Sequence, residues 1–162
     1  MILDVSTSIV IRRPRREVAA YAARPDNAPR WHVYIDAVEW LSIPPLCEGS
    51  RIAFTARVLG RRLRYVYDVE VYVPGEQLVM RTVDGPFPMA RTYAWEDTSD
   101  GHTRMTLRDR GAPAGLVRLG LPAMGIAMRL ADRDDLIRLK RILEEAIRTE
   151  RFEGNTQAAP AA

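Results

Sequence analysis

The chain has 162 residues, of which 47% are hydrophobic and 28% are charged, and its formal net charge is +3. The single cysteine and the two histidines exclude an intrachain disulfide, a cysteine-based metal site and a histidine-rich metal site. Basic and acidic residues are interleaved, without a stripe of arginines and aromatics, so we expect no nucleic-acid partner.

The length and composition predict one domain, residues 1–151, followed by a flexible C-terminal tail, residues 152–162. No apolar run reaches the roughly 18 residues that a membrane span requires, and the N-terminus has no signal-peptide pattern. We therefore expect no integral membrane segment and a cytoplasmic location. Glycine-rich phosphate loops are absent from the sequence, so we expect neither a nucleotide nor another cofactor.

The first predicted element is a strand over residues 5–11, where apolar residues recur at every second position. Pro14 then begins a short helix that ends at Ala23, because the first turn of a helix does not need the N–H that proline lacks. A second helical turn is predicted over residues 28–31. Two helices of this length are too short to form a bundle.

Six further strands are predicted, and most are separated by turns that contain proline or glycine. These strands cover residues 38–43, 51–59, 63–73, 78–82, 91–96 and 103–110. A Gly/Pro-rich connection over 111–122 follows, and its leucines suggest an apolar lid or an irregular first turn of the next helix. The chain then enters a long helix over residues 124–151.

The long helix carries its apolar residues on one side. At about 100° per residue, its main apolar side chains project within a sector about 80° wide. They are Met128, Leu136, Leu139, Leu143 and Ala146. Asp132 lies near the centre of this stripe and Asp135 at its edge. A carboxylate on a buried helix face needs a partner, faces water in a cavity, or changes its pKa.

About seven antiparallel strands and one amphipathic helix have one economical packing. The sheet curls and its concave, apolar face closes on the helix stripe, which gives an α+β fold. Tyrosine and methionine are frequent on that face and suit an apolar pocket with a few polar points; plain core packing is the alternative. The predicted ligand-binding residues are Trp31, Tyr34, Phe54, Tyr65, Tyr67, Met80, Tyr93, Trp95, Met105, Met124 and Met128.

Four polar residues are also predicted to face inward: Arg91 and Asp109 at strand ends, and Asp132 with Asp135 on the helix. One interpretation is that they form ion pairs at a wet mouth. In the other, Asp132 or Asp109 lies in the cavity with a raised pKa, as a catalytic acid/base or as a hydrogen-bond anchor for a hydroxyl or carbonyl group. Arg91 then neutralises an enolate or carboxylate. Arg91 is the only inward-facing arginine that the strand pattern offers as a partner for Asp132.

Trp31 and His32 follow the two short helices. We expect Trp31 to be a hydrophobic plug and His32 to be an exposed loop residue. Alternatively, His32 acts as a base, since an imidazole titrates near neutral pH. Tyr34 is the candidate gate of the pocket.

The order of elements, together with four segments, carries a family resemblance. The segments are Arg13-Pro14, 27–31, 85–88 and 134–140. They resemble the START-like (SRPBCC, Bet v 1-like) superfamily and, within it, the polyketide cyclase/dehydrase and lipid-transport group, over about residues 3–150. The resemblance implies a helix-grip fold: a curved antiparallel sheet wrapped on a long C-terminal helix, two short helices after strand 1, and a deep hydrophobic cavity.

The same resemblance implies a hydrophobic ligand, because members bind lipids, sterols, hormones or polyketides, and some cyclise or dehydrate polyketides. No catalytic signature of the group carries over to this chain. Three functions stay open. The first is binding of a lipid, polyketide or aromatic metabolite, the second is polyketide cyclisation or dehydration in the same cavity, and the third is a co-chaperone-like interaction. A homodimer is also compatible with the sequence.

Overall fold

The computed structural model describes residues 2–113 and 120–156. Its strands are β1 (Leu3–Ile11), β2 (Ile35–Trp40), β3 (Arg51–Val58), β4 (Arg61–Val73), β5 (Gln77–Asp84), β6 (Met89–Asp97) and β7 (Thr103–Gly111). Its helices are α1 (Arg15–Ala23), α2 (Ala28–Trp31) and α3 (Leu121–Thr156), with a 3₁₀ turn (Pro25–Asn27) before α2. Most of the predicted lid and the end of the predicted tail lie outside the described residues.

The seven strands form one antiparallel sheet in the order β1-β7-β6-β5-β4-β3-β2. Strands β2 to β7 are consecutive hairpins, whereas β1 pairs with β7 at the opposite edge from β2. Helices α1 and α2 therefore carry the chain from one edge of the sheet to the other. The sheet is curved, and α3 packs against it beside β1, as the helix-grip prediction requires.

Most strand boundaries fall within two residues of their predicted positions, but the boundaries of β2 differ by three residues at each end. It was predicted over 38–43 and runs instead over Ile35–Trp40. Its cross-strand partners extend from Ala56 to Ile52, and β3 begins at Arg51. Residues beyond position 41 thus have no strand to pair with, which is why the strand ends before Pro44.

Helix α3 begins at Leu121, earlier than predicted, with Pro122 in its first turn, where a missing N–H costs nothing. Leu136, Leu139 and Leu143 are buried, as the apolar stripe predicts. Ala146 was wrongly placed in that stripe, because it is exposed.

The exposure of Ala146 follows from where the sheet ends. The Lys140 ammonium donates to the carbonyl of Val10 at 2.7 Å, near the end of β1. The backbone N–H of Arg12, just beyond that strand, donates to Glu144 at 2.9 Å. The helix has therefore passed the sheet by position 146, and its apolar face has nothing left to cover.

Among the described residues, no helix combines the length and the apolar character that crossing a membrane requires.

Candidate functional site

The centre of the candidate site is the Arg91 guanidinium, which bridges the sheet and α3. Arg91 on β6 lies directly across from Asp109 on β7 in the strand register. Its Nη1 donates to Asp109 Oδ2 and its Nη2 to Asp132 Oδ1 on α3, both at 2.9 Å. Asp135 Oδ2 lies 3.8 Å from Nη2. We call these four residues the arginine–aspartate cluster.

The cluster is buried, so it is not the wet mouth that one interpretation predicted. The side chains of Asp109 and Asp132 are 1% and 3% exposed, and that of Arg91 is 16% exposed. Three carboxylates around one guanidinium carry an excess negative charge in a medium of low dielectric constant. One group is therefore expected to take up a proton rather than stay charged.

Asp109 is the group that takes this proton. Burial raises its pKa to about 7; the charge of Arg91 opposes the shift, while Asp132 adds to it through its charge and a hydrogen bond to the protonated acid. Below about pH 7 the cluster thus holds a carboxylic acid that can donate a hydrogen bond.

Several buried polar atoms in and beside the cluster have no hydrogen-bond partner in the described part of the chain. They are Arg91 Nε, Asp109 Oδ1, Asp132 Oδ2 and Thr7 Oγ1. Thr7 lies two residues along β1 from Val5, which is paired with Asp109. A proton on Asp109 supplies a donor for Asp132, but the guanidinium N–H and the threonine hydroxyl still lack partners. The cluster can therefore hydrogen-bond a further polar molecule.

A second buried chain of hydrogen bonds links α3, α2 and the sheet. His32 Nδ1 lies 2.6 Å from Asp135 Oδ2, and His32 Nε2 lies 2.9 Å from the Tyr93 hydroxyl. The backbone N–H of Val33 donates to Asp135 Oδ1 at 2.7 Å. Because a carboxylate only accepts, we assign the Nδ1–H tautomer to His32, and Tyr93 then donates to Nε2.

The pKa directions agree with a neutral imidazole. Burial lowers the pKa of His32 below its usual value, although Asp135 acts to raise it. Burial alone would raise the pKa of Asp135, but hydrogen bonds from His32 and Val33 and the charge of Arg91 outweigh it and keep that pKa low. Burial also raises the pKa of Tyr93 to about 12, so its hydroxyl stays protonated.

The prediction that His32 is an exposed loop residue is wrong, since His32 is 3% exposed. Its ring stacks on Trp31 with the ring centroids 3.6 Å apart, and its backbone N–H caps α2 by donating to Ala28. Trp31 is the buried plug that the sequence predicted. Two features of the sequence could have indicated the contact between His32 and Asp135. One is a histidine directly after a short helix, and the other is an acid at the edge of the apolar stripe of α3.

Replacing Tyr93 with phenylalanine tests this chain of hydrogen bonds. The substitution keeps the ring but leaves His32 Nε2 as a buried acceptor without a donor. We expect the free energy of unfolding to fall by about 1–3 kcal/mol in urea denaturation. A matched control is Tyr34→Phe, because Tyr34 is 50% exposed and its hydroxyl is not part of the chain. Equal stability of the two variants would contradict the assigned hydrogen bonds.

The predicted ligand-binding residues separate into three groups by burial. Tyr34 is exposed on the outside of the fold, so its role as a gate stays a prediction. Tyr65, Met124 and Met128 are half-buried. The remaining residues are buried in the core: Trp31, Phe54, Tyr67, Met80, Tyr93, Trp95 and Met105.

One small pocket lies between the sheet and the short helices rather than under α3. Its walls include Ala22, Ala28, Phe54 and Tyr93, and its volume is about 10 Å³, which is room for one water molecule. It is too small for an organic ligand. Across residues 2–113 and 120–156, no three His, Cys, Asp or Glu side chains are arranged to hold a metal ion.

Comparison with solved structures finds the same fold in other proteins. The Thermus thermophilus protein TTHA0849 has a TM-score of 0.76 and 15% identity over 88% of this chain and 98% of its own. The aromatase/cyclase Zhui from Streptomyces sp. R1128 has a TM-score of 0.76 and 12% identity over 91% and 96%. A START superfamily protein from Mycobacterium smegmatis has a TM-score of 0.59 and 12% identity over 83% and 98%.

Fold and site together define a helix-grip protein with charged groups buried between its sheet and its last helix. The chain belongs to the polyketide cyclase/dehydrase and lipid transport family, whose model matches residues 3–144. Comparison with curated protein sequences gives no significant match. At identities this low, the solved structures establish the fold and leave the ligand to be argued from the site.

Proposed function

We propose that this protein binds a hydrophobic small molecule, a lipid, polyketide or aromatic metabolite, between its sheet and α3. The observation that carries the proposal is the set of unpartnered polar atoms at the arginine–aspartate cluster. A buried polar atom without a partner costs free energy, so a water or a ligand atom is expected there. Polar points in an apolar wall are typical of small-molecule sites.

The apolar wall of the proposed site lies next to the cluster on α3. Met128 precedes Asp132 by one helical turn, and Met124 precedes Met128 by another. Both methionines pack against the buried pair Leu3 and Val5 on β1. Their half-buried, flexible side chains can adjust to a ligand's shape.

Charge at the cluster favours a neutral ligand. Arg91 supplies one positive charge, and even with Asp109 protonated the carboxylates of Asp132 and Asp135 supply two negative charges. A carboxylate or phosphate ligand would add a further buried negative charge and be rejected. The oxygen of a hydroxyl or carbonyl group can instead accept from Arg91 Nε, which lacks a partner in the described residues, and a hydroxyl can also donate to Asp132 Oδ2.

The test uses two naphthalene probes in fluorescence titrations at pH 6: 2-naphthol, which is neutral at that pH, and 2-naphthoate, which is an anion. We expect the neutral probe to bind at least about tenfold more tightly, and Asp132→Asn to weaken its binding by about tenfold. Asp134→Asn is the matched control, because Asp134 is an exposed carboxylate on the same helix. Preference for 2-naphthoate, or equal losses in both variants, would contradict the proposal.

A second candidate function is dehydration or cyclisation of a polyketide-like chain, and the raised pKa of Asp109 specifically favours it. In a dehydration, Asp109 would protonate a departing β-hydroxyl as its C–O bond breaks, and Asp132 would take the α-proton. Arg91 would stabilise the negative charge that develops on the ketone oxygen. One of the similar structures is an aromatase/cyclase by its name.

A β-hydroxy ketone, 4-hydroxy-4-phenylbutan-2-one, tests the second candidate because its dehydration gives a conjugated enone with strong ultraviolet absorption. Catalysis by Asp109 predicts a rate that falls as the pH rises through about 7, where this acid loses its proton. Asp109→Asn is expected to abolish the rate while still binding 2-naphthol. Unchanged turnover in that variant would exclude Asp109 as the acid.

A further inference from the structure

The β3–β4 hairpin ends in an apolar side chain that nothing in the described structure covers. Leu59 is 98% exposed and has a positive φ of 49°, and the next residue, Gly60, has φ 74°. Two-residue hairpin turns with positive φ at both positions strongly favour Asn-Gly, because most other side chains are strained there. A leucine at this position is therefore unfavourable both for its backbone and for its exposure to water.

Other exposed apolar side chains lie next to Leu59 in the sequence or on the segment that pairs with the hairpin. Val58 is 37% exposed, and Val33 and Tyr34, in the segment before β2, are 43% and 50% exposed. The N–H of Arg57 donates to the carbonyl of Tyr34 at 2.7 Å, so this segment runs alongside the hairpin. The hairpin and its neighbour therefore present an apolar projection rather than one isolated residue.

Arginines surround this projection. Arg57, Arg61 and Arg62 lie within three residues of Leu59. Asp36 contacts both Arg57, at 3.1 Å, and Arg62, at 3.6 Å. Arg61 has no ion pair with any residue that the structure describes. We call residues 57–62 the hairpin tip; its arginines outnumber the one carboxylate that pairs with them, so it carries a net positive charge.

We propose that the hairpin tip docks on the surface of an anionic lipid bilayer. Leu59 and Val58 enter the interface between head groups and acyl chains, and the arginines contact lipid phosphates. An apolar tip with a positive surround complements a negatively charged membrane surface in both hydrophobicity and charge. The docking goes beyond the proposed function and does not depend on a ligand between the sheet and α3.

Vesicle co-sedimentation tests the docking, using phosphatidylcholine alone and phosphatidylcholine mixed with phosphatidylglycerol. We expect the protein to bind the mixed vesicles, and Leu59→Asn to lower its partition coefficient by about tenfold. Asparagine suits the turn, so the fold should be retained, which thermal unfolding checks. Ile43→Asn is the matched control, because Ile43 is 89% exposed but lies in the β2–β3 connection.

Arg61→Gln measures how much positive charge at the hairpin tip contributes to vesicle binding. We expect this variant to bind the mixed vesicles about fivefold more weakly than wild type. Equal partitioning of wild type and Leu59→Asn, or no binding to either vesicle, would overturn the proposal. So would a wild-type dimer in sedimentation velocity that Leu59→Asn dissociates, since the tip would then be an interface between two copies. None of these results changes the 2-naphthol titration, so the two proposals can fail separately.

Discussion

Arg91→Met is expected to lower the free energy of unfolding by about 3–5 kcal/mol at pH 7. The substitution removes the only cation in contact with Asp109 and Asp132 in the described structure and leaves both acidic side chains buried. Methionine fills a similar volume, so the loss measures the missing charge rather than a cavity. Urea denaturation followed by circular dichroism gives the value.

A compensating triple variant controls for lost packing. When Asp109→Asn and Asp132→Asn are added to Arg91→Met, the two acids that hydrogen-bond Arg91 are neutralised. Asp135, whose Oδ2 lies 3.8 Å from Arg91 Nη2, keeps its contacts with His32 and Val33. We expect most of the lost stability to return. A single-variant loss below about 1 kcal/mol, or a triple variant no more stable than Arg91→Met, would show that the cluster's charges are not balanced as the contacts indicate.

The second large expected effect is that the contribution of Asp109 to the free energy of unfolding depends on pH. Its pKa is about 7 in the folded protein and near 3.8 in the unfolded chain. Between these values the folded state holds a proton that the unfolded state has released, so this residue's contribution to stability falls as pH rises. The fall begins near pH 4, ends a little above pH 7 and totals about 4 kcal/mol.

Asp109→Asn imitates the protonated acid, because its amide oxygen can accept from Arg91 and its amide group can donate to Asp132. We expect the variant to gain stability relative to wild type as the pH is raised from 4 to 8, measured as the difference between paired urea titrations. Surface acids with lowered pKa values, such as Asp4 and Asp68, lose their contribution at low pH in both proteins and cancel. A difference in the free energy of unfolding between variant and wild type that does not vary with pH would contradict the raised pKa of Asp109.

The fold was predictable because its signals are local and repeated. Alternation of apolar residues marked the strands, and the spacing of Leu136, Leu139 and Leu143 marked the buried face of α3. The Arg91–Asp132 contact was also anticipated, because strand phasing left a single inward-facing arginine opposite an acid on the helix face. The period of two in strands and of about 3.6 in helices predicts the direction in which each side chain points. Those two directions were sufficient to predict the contact between Arg91 and Asp132.

The remainder of the site depends on the path of a loop, which periodicity does not determine. His32 is buried because α2 turns its C-terminal end toward Asp135, a contact between residues 103 positions apart. Thr7 shares a strand face with the apolar Val5 and Ile9, and only the register with β7 brings it toward Asp109. The spacing of Ala146 matches the apolar stripe of α3. The position at which the sheet ends beneath the helix, however, depends on the whole fold and cannot be read from the helix sequence.

The proposed binding site is tested most directly by native mass spectrometry of the protein purified from its host, compared with Asp132→Asn from the same host. We expect wild type to retain a hydrophobic, electrically neutral molecule with a hydroxyl or carbonyl group, and the variant to retain much less of it. A protein with no retained small molecule, or an anionic lipid held equally by both forms, would contradict a neutral ligand bound at Arg91, Asp109 and Asp132.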